Sequence, residues 1–250
     1  MRLGLNLGYL AAWSTPADHL ALAQEADRLG FSVLWAAEAY GSDAPSMLAW
    51  IAGQTQRIDV GAAVMQIPAR TPAMTAMTAA TIDLITGGRF RLGLGVSGPQ
   101  VSEGWHGVRF AKPLSRTREY VEIVRTALAR EPVAYDGEHF QLPLPGGAGK
   151  ALRLTVHPVR DHIPVYLASI GPKNLELTGE IADGWLSIFY APEFADELLS
   201  PISAGRAKVG RTLDGFDVVA TAPLVVGENI DDCAALVRYY AALYIGGMGS

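Results

Sequence analysis

The chain has 250 residues, half of them hydrophobic, a formal net charge of −5 and one cysteine, Cys233. That much apolar material can bury one large core or two ordinary ones, while the acidic balance argues against a nucleic-acid surface, which clusters Lys and Arg. A lone cysteine excludes an intrachain disulfide and fits a reducing compartment.

In chain order, RLGLNLG (2–8) is the first apolar run, ending in Asn6, Gly8 and Tyr9. Thr15-Pro16 places a capping side chain before a proline at the first helical position, and Gly30 stops that helix. SVLWAA (32–37) leads straight into a lone carboxylate, Glu38. IDVGAAVMQ (58–66) is a third run, after which Thr71-Pro72 opens a helix that Gly87 closes. FRLGLGV (90–96) is the fourth, and SRTREYVEIVRTALARE (115–131) is an amphipathic helix with Tyr120, Val121, Val124 and Leu128 on one side. Residues 133–160, rich in Pro and Gly with two short alternating runs, read as an inserted hairpin or lid. His139 and His157 in it read as packing or solvent-facing, since no His pair at i, i+4 and no cysteine accompanies them; no metal site is expected. PVYLAS (164–169), DGWLSI (183–188) and GFDVVATAPLVV (215–226) complete the apolar runs. Gly171-Pro172 opens a helix ending near Gly184, and DDCAALVRYYAALY forms the last helix before IGGMGS.

These runs are continuous rather than alternating, as in parallel strands buried on both faces. About seven βα units in succession suggest an α/β fold, either a doubly wound sheet or a TIM-type (β/α)8 barrel. The even spacing favours the barrel, as one domain over 1–250 with the eighth βα unit not in this chain. Seven strands leave the first and last edges unpaired, so a continuation past Ser250, or a partner chain, is expected to supply the missing strand. No stretch approaches the ~18 uninterrupted apolar residues of a membrane span, and MRLGLNLGYLAAW lacks signal-peptide character, so a cytoplasmic protein is expected.

Residues 93–98, GLGVSG, match G-x-G-x-x-G, the glycine pattern of a dinucleotide-binding turn. Such a turn leads directly into a helix. Here Pro99 and a loop up to Ser115 follow, and the strand is the fourth rather than the first. Glycines at the carboxyl end of a parallel strand instead let a flat ring lie against bare backbone. Barrel active sites are built at that end. Asn6, Gly8, Glu38, Ala62 and Ala63 stand at the same ends, and residues 169–173 form a turn whose free amides at a helix start, with Lys173, suit an anion. The mouth thus offers a ring platform, a carboxylate and a phosphate cradle.

EADRLGFSVLWAAEAYGSD (25–43), residues 60–107 from VGAAVMQ to GWHG, and PVYLASIGPKNLELTGEIADGW (164–185) resemble the luciferase-like monooxygenase superfamily, and within it the coenzyme F420-dependent oxidoreductases. The likeness runs over essentially the whole chain. It implies a (β/α)8 barrel with an insertion after the fourth helix and a non-prolyl cis peptide at Ala63–Val64 behind the deazaflavin ring. Glu38 matches the acid beside the ring, Gly95, Val96, Ser97 and Gly98 the loop flanking the cofactor side chain, and Ser169, Ile170, Gly171 and Pro172 the phosphate cradle. The histidine and glutamate of the sugar-phosphate dehydrogenase branch are replaced by Ala39 and Gln100, so glucose-6-phosphate oxidation is not expected. The implied activity is hydride transfer between coenzyme F420 and a small organic substrate, reduction favoured, with Glu38 at the ring and His106 or water delivering a proton. An FMN-dependent monooxygenase of the same fold is the nearest alternative, and a non-catalytic cofactor-binding or interaction protein the next. The partners expected are a small-molecule substrate and a second copy in a dimer, without nucleic acid or membrane.

Overall fold

The computed structural model describes residues 1–9 and 14–247. The end of IGGMGS, residues 248–250, lies outside the described residues. Strands β1 (Gly4–Asn6), β2 (Val33–Ala36), β3 (Asp59–Ala62), β4 (Met65–Gln66) and β5 (Phe90–Gly95) are followed by a hairpin of β6 (Tyr135–Asp136) and β7 (Gln141–Leu142). Strands β8 (Val165–Ala168), β9 (Gly184–Ser187) and β10 (Asp217–Ala220) complete the sheet. Between them lie helices α1 (Pro16–Leu29), α2 (Ala44–Ala52), α3 (Pro72–Thr86), α4 (Pro99–Ser102), α5 (Pro113–Leu128), α6 (Pro172–Ile181) and α7 (Ala195–Lys208). Helix α8 (Ile230–Ala242) and a π-helical turn (Leu243–Gly247) follow β10.

The main sheet is parallel, in the order β1-β2-β3-β5-β8-β9-β10, with β4 continuing alongside β5. It is a half-barrel with α-helices outside, open between β1 and β10 among the described residues. Alternate side chains face opposite sides of a strand, and here both sides are buried. Leu34, Leu92, Leu94 and Val165 pack outward with Ile51, Ala79 and Tyr120 from the helices. Val33, Trp35, Tyr166 and Leu186 fill the inside. That double burial is why the sequence shows unbroken apolar runs.

Polar groups close the amino-terminal end of the barrel. Arg91 reaches Asp59 through Nη2 at 2.7 Å and Asp217 through Nη1 at 3.1 Å, and the Tyr166 hydroxyl donates to Asp217 at 2.9 Å. Arg2 meets the other oxygen of Asp217, joining the chain beside β1 to the edge strand β10. Burial pushes the Tyr166 phenol up to about 12, so it stays a proton donor.

Several elements differ from the sequence reading. The run 58–66 is interrupted between β3 and β4, and 215–226 is a strand only to Ala220. Thr221 still donates to Ser187, but Pro223 has no N–H to extend the ladder. The amphipathic helix spans Pro113–Leu128 rather than 115–131, and the stretch after Gly98, taken as loop, begins with the four-residue helix α4. Helix α2 announces itself by an Asp43 cap accepting from the Ser46 amide, and α7 carries Pro201 inside it. The insert contains the hairpin β6–β7. Glu119 on α5 accepts from the amides of Glu138, His139 and Phe140, and Ser115 bonds His139 at 2.8 Å, clamping the hairpin to the outside of that helix. Among the described residues, no helix is long and apolar enough to cross a membrane and no group of three or more His, Cys, Asp or Glu could hold a metal ion.

Replacing Arg91 by Ala would leave two carboxylates without their shared cation. Because Asp59 and Asp217 are partly exposed, the expected loss is about 2–3 kcal/mol rather than the full value for a buried pair. Urea unfolding of Arg91→Ala against wild type measures it, and a change below about 0.5 kcal/mol would remove this network from the fold's stability.

Candidate functional site

The site starts from a defect in strand pairing. Gly61 pairs with Arg91 and Met65 with Leu94. The chain therefore takes four steps on one side against three on the other, a bulge. The extra residue sits at Ala63–Val64, joined by a cis peptide bond. The two glycines of β5 receive this bulge. A Cβ on Gly93 would lie 1.8 Å from the Ala62 carbonyl oxygen, and one on Gly95 would lie 2.6 Å from Val64 Cγ2. Gly93 and Gly95 thus make room for the neighbouring strand, while Ala63 and Val64 form the surface beside Gly95.

Glu38 holds the bulge in place. It follows β2 and is 6% exposed. Arg70 grips its two oxygens in parallel bonds of 2.7 Å, and the amides of Ala44 and Gln66 donate to them at 3.1 Å. One carboxylate thus joins the end of β2, the far side of the bulge, the first residue of α2 and the loop before α3. A buried carboxylate is tolerable only when so paired and bonded. Arg70 also reaches Asp43. Burial disfavours the Arg70 cation, yet its carboxylate partners outweigh that and raise its pKa above the ordinary arginine value. Ala39 adopts φ +106°, outside the range side chains favour, and its carbonyl accepts from Gln66 Nε2.

Above the bulge opens a cavity of about 500 Å³ at the carboxyl ends of the strands, within the ordinary size range of ligand sites. Asn6, Glu38, Ala63 and Val64 line one part of it, and Gly95, Val96, Ser97 and Gly98 another. Ser169, Ile170 and Gly171 line a third. Gly171 caps α6 with φ +67° and ψ 145°, no side chain caps that helix, and a Cβ at Gly171 would meet nothing within 4 Å. Bare backbone at an uncapped helix start is what a phosphate needs. The Ser169 hydroxyl is occupied: Thr178 donates to the Asn174 carbonyl, so Ser169 must donate to Thr178 at 2.8 Å. Its proton is not available to an anion.

Four sequence-predicted residues fall elsewhere. Ala62 is fully buried under the bulge. Gly8 does not line the cavity; its amide donates to Asn6 Oδ1 and its carbonyl accepts from Ala37. Pro172 is the first residue of α6, behind Gly171. His106 follows α4, is half-buried with Nε2 unpartnered, and is not among the cavity-lining residues. Conversely, Gln66, Asn174, Tyr240 and Tyr244 line the cavity without having been singled out. Only the i, i+4 spacing of the two tyrosines hinted at a shared face.

A half-barrel with a bulged third strand, a buried acid beside it and an uncapped helix start at the same end is the frame of an α/β barrel with its site at the carboxyl ends of the strands. The chain belongs to the luciferase-like monooxygenase family, whose model matches residues 3–249. A provisionally named coenzyme F420-dependent oxidoreductase of Mycobacterium tuberculosis is 48% identical, aligned over 100% of this chain and 74% of that protein. A 5,10-methylenetetrahydromethanopterin reductase of Archaeoglobus fulgidus is 35% identical over 89% of this chain and 64% of its own. The coenzyme F420-dependent tetrahydromethanopterin reductase of Methanopyrus kandleri superposes with a TM-score of 0.85 at 26% identity, over 100% of this chain and 73% of that one. The chain thus spans from 64% to 74% of these relatives' length.

The cap of α2 gives this region a pH dependence. Burial raises the Asp43 pKa, but the bonds from Ser46 and Arg70 more than offset it, so the folded value lies below 3.8. A depressed carboxylate contributes stability that is present above the unfolded value and lost as pH falls through the folded one. Unfolding free energy should therefore drop as pH falls below about 4, and Asp43→Asn should flatten that drop. An identical slope in wild type and variant, measured by urea titration between pH 5 and pH 2.5, would contradict it.

Proposed function

We propose that the protein is a coenzyme F420-dependent oxidoreductase that reduces a small organic substrate. The observation that carries this is the convergence, at one end of the sheet, of the Glu38-held bulge and the uncapped start of α6. Ala63 and Val64 would back the deazaflavin ring, Gly95 to Gly98 would flank its side chain, and the Ile170 and Gly171 backbone would hold its phosphate, with Lys173 nearby. When bound in reduced form, the deazaflavin supplies a hydride from its ring. The chain's part is to orient the ring on the bulge and keep water from it with Ala168, Leu186 and Ile188.

Reduction is favoured over alcohol oxidation for a chemical reason. Oxidation needs a base for the hydroxyl proton. Among the described residues no histidine lines the cavity, Ala39 stands beside the acid, and Glu38 has both oxygens bonded to Arg70. Glu38 is thus read as a positioning residue and not as the acid–base group. We include a homodimer in this reading: Met74, Met77, Leu84 and Ile85 give α3 an exposed apolar stripe that a second copy would cover. Sedimentation velocity reads this directly, and a monomer at micromolar concentration would remove it.

Titration with coenzyme F420 and with FMN separates the two cofactor readings. Saturable quenching of deazaflavin fluorescence without FMN binding is expected; the reverse preference would establish the FMN-dependent monooxygenase alternative. In the same assay Ser169→Ala should weaken binding less than about fivefold, since the cradle is backbone and the hydroxyl is already used. Gly171→Val should abolish measurable binding, because a side chain is strained at that φ and would fill the cradle. Equal effects of the two substitutions would overturn the backbone cradle.

A further inference from the structure

The cavity has a second side that the cofactor reading does not use. In the sheet order, β5 and β8 lie in the middle and carry Gly95–Gly98 and Ser169–Gly171, whereas β1 and β10 are the two edges. Tyr9 follows β1 and Thr221 follows β10, while Tyr240 and Tyr244 come from the α8 segment; all four line the cavity. The Tyr240 and Tyr244 rings lie 4.9 Å apart, and each meets Phe189 edge-on at 6.0 and 6.1 Å. The hydroxyls of Tyr9 and Tyr244 bond each other. This is an aromatic wall across from the phosphate cradle.

Resting on the F420 reading above, we propose that this wall is the substrate subsite, that it takes a planar, uncharged, conjugated carbonyl compound, and that the Tyr9 hydroxyl donates to the carbonyl oxygen. Planarity follows from the wall, because flat rings stack or meet edge-on with aromatic side chains. Absence of charge follows from the lining. Apart from its tyrosines, its one ionisable member is Glu38, already neutralised by Arg70, so neither an anion nor a cation would find an unpaired partner. The donor role follows from counting protons. A hydroxyl has one hydrogen, so in the tyrosine pair one member donates inward and the other keeps its hydrogen for the cavity. Burial raises both phenols, so both keep their hydrogens at neutral pH. Tyr9, which follows a strand of the sheet while Tyr244 sits in the turn after α8, is the one assigned to give its hydrogen to the substrate.

The test measures binding without cofactor, by calorimetry, of three molecules of one shape: benzylideneacetone, β-methylstyrene, which lacks the carbonyl, and cinnamate, which is charged. Benzylideneacetone should bind, and cinnamate at least about tenfold more weakly. Tyr9→Phe keeps the ring that packs over Gly41. It should weaken benzylideneacetone about five- to tenfold and β-methylstyrene less than twofold. Tyr240→Ala should weaken both. The proposal is overturned if benzylideneacetone does not bind, if cinnamate binds equally well, or if Tyr9→Phe affects both neutral probes alike. Coenzyme F420 quenching on the same wild-type sample separates the claims. The probe pattern without F420 binding leaves the subsite and removes the cofactor reading, and F420 binding without the probe pattern does the opposite.

Discussion

Everything distinctive about this site depends on the burial of one carboxylate. Glu38 lies where β2 ends, with almost no exposure, and an ion in that position must be surrounded by donors or it will not stay charged. The chain supplies four, from three separate segments. Meeting that requirement fixes where α2 begins, where the loop before α3 turns, and how Gln66 returns to β5 after the bulge. The surface presented by Ala63 and Val64 is thus a consequence of electrostatics one layer below it. A pair of this kind adds little net stability over an apolar replacement, but removing one partner is costly. It is better understood as a positional lock.

The two ends of the half-barrel divide their work. At the amino-terminal end Arg91, Asp59, Asp217 and Tyr166 satisfy one another and close the interior. At the carboxyl end polar groups are few and the walls are apolar or backbone, with the cradle at β8 and the tyrosines at the open side. Backbone donors suit an anion whose position must not vary. Aromatic side chains suit a substrate recognised by shape. The central bulge lies between the two.

The architecture was legible because strands buried on both faces have no choice but to be apolar throughout, and because Thr15, Thr71, Gly30 and Gly87 mark helix ends by ordinary capping chemistry. The cis peptide came through resemblance and not through any rule about Ala-Val. Arg70 was invisible: a single arginine in IPAR carries no periodic or motif signal, and only the fold brings it to Glu38. A missing Cβ does not say what fills the space; at Gly93 and Gly95 the neighbouring strand does. The tyrosines of α8 belong to the mouth only through the way that helix packs, which spacing along the chain does not record.

In the proposed F420 reading, the Glu38 lock builds the surface on which the deazaflavin ring would lie. Glu38→Gln tests it most directly, since the amide keeps the size but loses the charge and one acceptor oxygen. Equilibrium titration with coenzyme F420, on variant protein whose far-ultraviolet circular dichroism matches wild type, is the measurement. Binding should weaken by about 100-fold or more, roughly what loss of a charged buried bond costs. Unchanged affinity in a folded Glu38→Gln protein would contradict it.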